Sequence, residues 1–185
     1  MNARAEGATA SRHQLRGVTV RVINSRPDIA TSAVLERLDQ ALELIALYAP
    51  RRFRRMTKDL SGIVVQRFPC RGAFFPQTRE CLVELTFTVN PAHTLPEIAA
   101  SIVHEATHAR IAARCGTLPE ALRPREERIC RRAELEFGTA LPNGEVVVER
   151  ARRSLGLSDL EVAPQVDWRE AARRVESIDR QQFPG

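Results

Sequence analysis

Alternating apolar and polar side chains predict a strand near the N-terminus, and a change of period predicts a helix after it. In VTVRVI, Val18 to Ile23, every second side chain from the first valine is apolar, as in a strand with one buried face. Apolar residues then recur at helical spacing from Thr31 to Tyr48. Pro50 ends this predicted helix, because proline lacks the backbone N–H that a helix interior needs.

Three short apolar runs follow, and each is rich in residues that favour strands. They are GIVVQRF at 62 to 68, GAFFP at 72 to 76 and CLVELTFTV at 81 to 89. Proline and glycine lie in the connections between them, which favours hairpins between antiparallel strands.

The period changes again after NPAHTLP, where Thr94 can cap a helix and Pro96 can occupy its first turn. An apolar stripe beginning at Ile98 then continues at helical spacing as far as Cys115, and Gly116 follows it. Further helices are predicted at 124 to 138, 144 to 155 and 167 to 181.

These elements predict an α+β protein. We expect a small, mostly antiparallel sheet packed against the N-terminal helix and the helix after Thr94, followed by C-terminal helices. The length of 185 residues and 43% apolar content suit one domain, placed at 15 to 185. Residues 1 to 14 are small and polar without periodicity, so we expect a flexible tail.

The chain has no apolar run long enough for an export signal or a membrane span, which predicts a cytoplasmic protein without a membrane partner. Its four cysteines include no CxxC pair and fit neither a zinc-ribbon nor a disulfide-framework spacing. We therefore expect them to be reduced and mostly buried.

The formal net charge of +5 and the run RRFRR at 51 to 55 raise the alternative of a nucleic-acid-binding protein. However, every cationic residue except Lys58 is arginine, which indicates a GC-rich genome, typical of many bacteria. Only 5% of the residues are aromatic, too few for a base-stacking platform, so specific nucleic-acid binding is not expected. Most arginines of the C-terminal half are expected on solvated helix faces: Arg123, Arg125, Arg128, Arg131, Arg132, Arg150, Arg152, Arg153, Arg169, Arg173 and Arg174.

The segment HEATH contains two of the four histidines, and it lies inside the predicted helix after Thr94. His104 and His108 are four residues apart, so they project about 40° apart on one helix face and can reach one metal ion. Glu105 lies beside them and can face a metal-bound water without binding the metal. Three hypotheses follow: a catalytic zinc site, a zinc site without catalysis, or a pattern that arose by chance on a helix.

The HExxH pattern resembles that of the zincin metallopeptidases, and the resemblance covers Cys81 to Gly138 best. It implies that the HExxH helix lies beneath a twisted sheet, whose edge strand, expected to be CLVELTFTV, lines the substrate cleft. Arg110 departs from the extended zincin pattern, which has a hydrophobic residue at this position. The metzincin continuation is absent, because Ile111 and Arg114 stand where its glycine and third histidine would be.

The third metal ligand is then expected to be a carboxylate from the next helix, as in gluzincins. The segment beginning at Glu127 looks like the ExxA helix of ImmA/IrrE-type metallopeptidases, in which this glutamate binds zinc. Glu126 is the second choice, because it shares the apolar face of its helix. Glu134 is a further alternative, or an acid that supports one of the histidines from behind.

The resemblance implies a zinc-dependent peptidase that acts on a peptide or protein substrate. Zn²⁺ would be bound by His104, His108 and Glu127, and Glu105 would act as general base toward a zinc-activated water. His93, Tyr48 or an arginine could stabilise the oxyanion. The alternative is a zincin-like domain that binds metal or a protein partner and cleaves nothing.

Overall fold

A computed structural model describes residues 9 to 164 and 167 to 182. Within these residues the chain forms five strands and eight α-helices. The strands are β1 Thr9–Leu15, β2 Val18–Asn24, β3 Gly62–Gln66, β4 Gly72–Phe75 and β5 Glu80–Glu84. The helices are α1 Thr31–Tyr48, α2 Pro50–Asp59, α3 Leu85–Val89, α4 Leu95–Cys115, α5 Arg123–Ala140, α6 Glu145–Leu155, α7 Asp159–Val162 and α8 Trp168–Gln182.

The predicted α+β class is confirmed, but the sheet is mixed rather than mostly antiparallel. Its order is β1-β2-β3-β5-β4, with antiparallel pairing in β1/β2 and β4/β5 and parallel pairing in β2/β3 and β3/β5. The sequence of β3 explains the difference. Residues 62 to 65 are all buried, and such a continuous buried run is typical of an interior parallel strand. Helices α1 and α2 form the crossover that parallel pairing of β2 and β3 requires.

Strand β1 corrects the predicted N-terminal tail for residues 9 to 14, which pair with β2 in a regular hairpin. The turn between the strands uses positive φ angles at Arg16 and Gly17, which suit the twist of a two-residue hairpin. Residues 10 to 15 of this edge strand include no buried residue, and β1 lacks the apolar alternation that identifies strands in a sequence. Residues 1 to 8 of the predicted tail lie outside the described residues.

The predicted strand CLVELTFTV is also corrected, because it divides at Glu84 into strand β5 and the short helix α3. The Glu84 carboxylate accepts hydrogen bonds from the Phe87 N–H and the Thr86 hydroxyl, both at 2.6 Å. This N-cap stabilises the first turn of α3. Strand β5 is therefore interior, between β3 and β4, and the edge strand on this side of the sheet is β4.

Helix α4 begins and ends where the sequence predicts. Thr94 and Glu97 form a reciprocal capping box at its N-terminus, and Gly116 follows its last turn with a φ of 71°. Ile98 and Ile102 are fully buried, and the helix contacts α1, α5, β4 and β5. This central position fixes the helix that contains the HEATH segment between the sheet and the C-terminal helices.

The predicted helices 31 to 48, 124 to 138, 144 to 155 and 167 to 181 are confirmed as α1, α5, α6 and α8. Helix α2 was not predicted. Pro50 ends α1 and at the same time occupies the first turn of α2, where its missing N–H is tolerated. No helix within the described residues is both long and apolar enough to cross a membrane.

Candidate metal centre

Helix α4 presents His104 and His108 with their Nε2 atoms facing each other at 3.1 Å. The two residues are one helical turn apart, so both imidazoles extend from the same face. His104 is buried, with 6% of its surface exposed, and His108 is half-buried. Two imidazole nitrogens therefore converge on one point at the helix surface.

Helix α5 brings the carboxylate of Glu127 to the same point. Its Oε2 lies 3.2 Å from His104 Nε2, and its Oε1 lies 3.6 Å from His108 Nε2. A tetrahedral zinc ion with bonds of about 2.0 to 2.1 Å separates its ligand atoms by about 3.3 Å. The spacings of the three side chains therefore match those of ligands that share one zinc ion.

The two other candidate acids lie behind the imidazoles. His104 Nδ1 is 2.6 Å from Glu134 Oε1, and His108 Nδ1 is 2.7 Å from Glu126 Oε1. Carboxylates at these positions accept the Nδ1–H of each ring, which leaves Nε2 free to bind a metal. Among the three glutamates considered from the sequence, Glu127 is the one placed at the converging nitrogens.

Glu134 is fully buried and is held by two arginines as well as by His104. Arg131 Nη1 donates to its Oε1 at 2.6 Å, and Arg150 Nη2 donates to its Oε2 at 3.0 Å. Burial alone would raise the pKa of Glu134, but the His104 hydrogen bond and the charges of His104 and both arginines lower it to about 2. The carboxylate is therefore ionised.

Arg131 and Arg150 correct the prediction that they lie on solvated helix faces, because both are partly buried. The sequence contains one signal that could have identified them. Glu134 falls next to Ala133 and three positions before Phe137, on the buried part of its helix, and a buried carboxylate requires cationic partners.

The electrostatics of the centre favour a positive charge between the two histidines. Burial lowers the pKa of His104, but hydrogen bonds to Glu127 and Glu134 and the charge of Glu105 outweigh this effect and raise it to about 9. For Glu127 the two effects have the opposite signs. Burial raises the pKa of this carboxyl, but the hydrogen bond and charge of His104 outweigh burial and lower the pKa below its ordinary value. In the absence of a metal, a proton on His104 supplies the positive charge.

Glu105 lies against the edge strand β4. A Cβ atom added to Gly72 would lie 3.0 Å from Glu105 Oε1 and 2.9 Å from Ser101 Oγ, so glycine lets the strand backbone approach α4 closely. Glu105 is buried, and this burial raises its pKa despite the opposing charges of His104 and His108. A carboxyl group with a raised pKa is a better base than an exposed glutamate.

The centre opens into a cleft of about 600 Å³. One wall is β4 with Gly72, Ala73 and Phe74, and the other is formed by α5 and α6. Its cationic lining residues are Arg71, Arg131 and Arg150.

The structure separates the cleft from two of the predicted oxyanion-stabilising residues. The His93 ring packs against Phe87 at 4.8 Å in a neighbouring cavity, and Tyr48 lines a third cavity. Neither residue lines the cleft, whereas three arginines do. An arginine is therefore the remaining candidate of the three kinds considered from the sequence.

Cys130 lies closer to the two histidines than the sequence indicated. It follows Glu127 by three positions on α5 and is fully buried. One ligand atom each from His104, His108 and Cys130 lie within 4.8 Å of one another. Burial and the nearby carboxylates of Glu127 and Glu105 raise the pKa of the Cys130 thiol well above its ordinary value.

The other three cysteines are also free thiols, as predicted. Cys81 is buried, Cys70 is half-buried at the cleft, and Cys115 is exposed. Two of the four thiols are therefore fully buried, so the expectation of mostly buried cysteines holds in part.

No family model matches the sequence, and no match was found among the curated proteins or the solved structures. Functional inference for this chain therefore depends on the chemistry and geometry of its own residues.

Proposed function

We propose that this chain is a zinc-dependent peptidase in which His104, His108 and Glu127 bind the metal and Glu105 is the general base. The observation that carries the proposal is the convergence of the two Nε2 atoms and the Glu127 carboxylate within 3.1 to 3.6 Å, beside an open cleft. The chemistry of the donors fits, because imidazole and carboxylate are the usual ligands of catalytic zinc.

A bound zinc ion would polarise the scissile carbonyl and acidify the attacking water. Glu105 would accept a proton from the attacking water and would then donate it to the leaving amine. The raised pKa of Glu105 suits both steps, since the group must gain a proton and release it near neutral pH. Glu126 and Glu134 hold the imidazole rings in orientation through their Nδ1–H groups.

The edge strand β4 supplies a place for the substrate backbone. It pairs with β5 on one side only, so the backbone groups of its other edge are available to an extended peptide. Because Gly72 lies against Glu105, a peptide paired with β4 passes next to the general base. This role is proposed for β4 and not for CLVELTFTV, the edge strand expected from the sequence.

The experiment is cleavage of a diverse peptide library, followed by mass spectrometry, with wild-type protein and Glu105→Gln loaded with zinc. We expect the wild type to cut peptides and Glu105→Gln to bind zinc equally well but to cut none. Glu136→Gln, a change at an exposed residue of α5, is the control and should cleave like the wild type. Undiminished cleavage by Glu105→Gln would show that Glu105 is not the general base.

A second candidate function is metal binding without cleavage, and the position of Cys130 favours it. Four protein ligands around one zinc ion are typical of closed structural sites, whereas catalytic sites keep a position for water. The library experiment separates the two functions, because a closed site binds zinc without cutting any peptide.

A further inference from the structure

We propose that Cys130 is a sulfur ligand of the metal that His104 and His108 bind, and that it reaches the ion from the buried side of the centre. The inference rests on the metal-binding part of the proposed function. Together with His104, His108 and Glu127, Cys130 gives four protein ligands, the number that favours the second candidate function. Its consequence is selectivity: a site with a thiolate prefers Zn²⁺ or Cd²⁺ to hard cations such as Mg²⁺ and Mn²⁺.

The ligand atoms of His104, His108 and Cys130 lie within 4.8 Å of one another. Ligand atoms around a tetrahedral zinc ion, with Zn–N and Zn–S bonds of about 2.1 and 2.3 Å, are separated by about 3.3 to 3.8 Å. A side-chain adjustment of about 1 Å therefore completes a His-His-Cys set.

The Cys130 thiol differs from two other thiols of the chain in its hydrogen bonding. Cys70 and Cys81 donate hydrogen bonds to the backbone carbonyls of Gly72 and Leu82, at 2.8 and 3.8 Å. Within the described part of the chain, the Sγ of Cys130 has no hydrogen bond, although the residue has no exposed surface. The sulfur lies within 4.8 Å of a ligand atom of His104 and of His108.

His104, His108 and Glu127 line the cleft, whereas the buried Cys130 does not. The sulfur therefore approaches from the protein side, and the cleft side stays accessible. On binding, the thiol releases its proton to solvent and the thiolate forms the bond to the cation, as for any cysteine ligand.

The test is absorption spectroscopy of the full chain titrated with Co²⁺ alone, followed by cadmium NMR of the Cd²⁺ complex. We expect a sulfur-to-cobalt charge-transfer band in the near ultraviolet and a cadmium shift typical of one sulfur ligand. Cys130→Ala should lose both signals and weaken Cd²⁺ binding at least about tenfold. Even residues that only support a metal ligand cost about tenfold or more in metal affinity when they are replaced. Cys70→Ala, which changes the thiol at the cleft, should keep them.

The outcomes separate the two proposals. Two results would overturn the role of Cys130 and leave the His-His-Glu site intact. In the first, the wild type binds cobalt and shows visible ligand-field bands but no charge-transfer band. In the second, the charge-transfer band survives in Cys130→Ala. Failure of the wild type to bind Co²⁺, Zn²⁺ or Cd²⁺ overturns both. The wild-type cadmium shift decides the matter if Cys130→Ala does not fold.

Discussion

His104 Nδ1 lies 2.6 Å from Oε1 of Glu134, a carboxylate with no exposed surface that also binds two arginines. This contact fixes the orientation of the imidazole whose other nitrogen faces His108 and Glu127. A hydrogen-bonded carboxylate also makes a histidine a stronger metal ligand. Glu134 therefore affects metal binding by α4, and its own position depends on the partly buried Arg131 and Arg150.

Replacing Glu134 by glutamine should lower zinc affinity by about 10-fold to 100-fold, because the amide is a weaker acceptor for the His104 N–H. Loss of the charge also leaves Arg131 without the carboxylate that it pairs with and leaves Arg150 with the more distant Glu97 alone, at 3.8 Å. The free energy of unfolding should therefore fall by about 3 kcal/mol or more. Competition with a zinc chelator and chemical denaturation measure the two effects. Glu136→Gln, at an exposed position of the same helix, should change neither, and equal zinc affinity in both variants would contradict the account.

The neighbouring acids Glu126 and Glu127 should differ in their effect on the metal. Glu127→Gln removes a carboxylate that lies 3.2 Å from His104 Nε2, so it should cost the larger share of zinc affinity. Glu126→Gln alters only the acceptor behind His108 and should cost about 10-fold to 100-fold. Isothermal titration with zinc compares the two variants. A larger loss of zinc affinity in Glu126→Gln would show that Glu126, and not Glu127, is the third metal ligand.

Gly72→Ala tests the close approach of β4 to the general base. The added methyl group would meet Glu105 Oε1 at 3.0 Å and Ser101 Oγ at 2.9 Å, so it should displace the carboxylate. We expect kcat/KM for a library-derived peptide to fall about 10-fold to 100-fold while zinc content is unchanged, because a displacement of about 1 Å is costly in catalysis. Gly156→Ala is the control, since its nearest neighbour would be at 3.5 Å. Full activity in Gly72→Ala would show that the strand does not constrain Glu105.

The stability of the metal-free protein should depend on pH through His104 and Glu134. His104 has a raised pKa of about 9 against 6.5, so its stabilising contribution is complete below 6.5 and is lost as the pH rises through about 9. Glu134 has a lowered pKa of about 2 against 4.5, so its contribution is complete above 4.5 and is lost as the pH falls toward 2. The summed contribution of these two groups to the free energy of unfolding is therefore greatest between about pH 4.5 and 6.5.

Thermal unfolding in the presence of a chelator checks this profile. The unfolding temperature should fall between pH 7 and about pH 9.5, and His104→Gln should lack this fall. An alkaline fall of equal size in both proteins would assign it to other groups. Excess zinc should remove it from the wild type, because the metal replaces the proton on His104.

The sequence predicted helix α4 well because its signals are local: Thr94 as a cap, Pro96 in the first turn, an apolar stripe and Gly116 after the last turn. Strand β1 and the end of β5 were not predicted, since an exposed edge strand has no apolar period and the N-cap at Glu84 interrupts an otherwise strand-like segment. The parallel pairing of β3 depends on contacts between distant residues, which a local pattern does not specify.

The candidate site shows the same division. His104, Glu105 and His108 share one helix, so their spacing alone predicted their convergence. The choice among Glu126, Glu127 and Glu134 depends on how α5 rotates against α4, which is set by packing along both helices. Cys130 reaches the centre through this packing as well, and no local pattern in the sequence marks it.

The zinc content of the purified protein tests whether the HEATH helix forms a metal centre. Elemental analysis should be made on untagged wild type, His108→Ala and His13→Ala, where His13 lies in strand β1 far along the sheet from α4. The account predicts about one zinc ion per chain in the wild type and in His13→Ala, and almost none in His108→Ala. Folded wild-type protein that neither contains zinc nor takes it up would contradict the account.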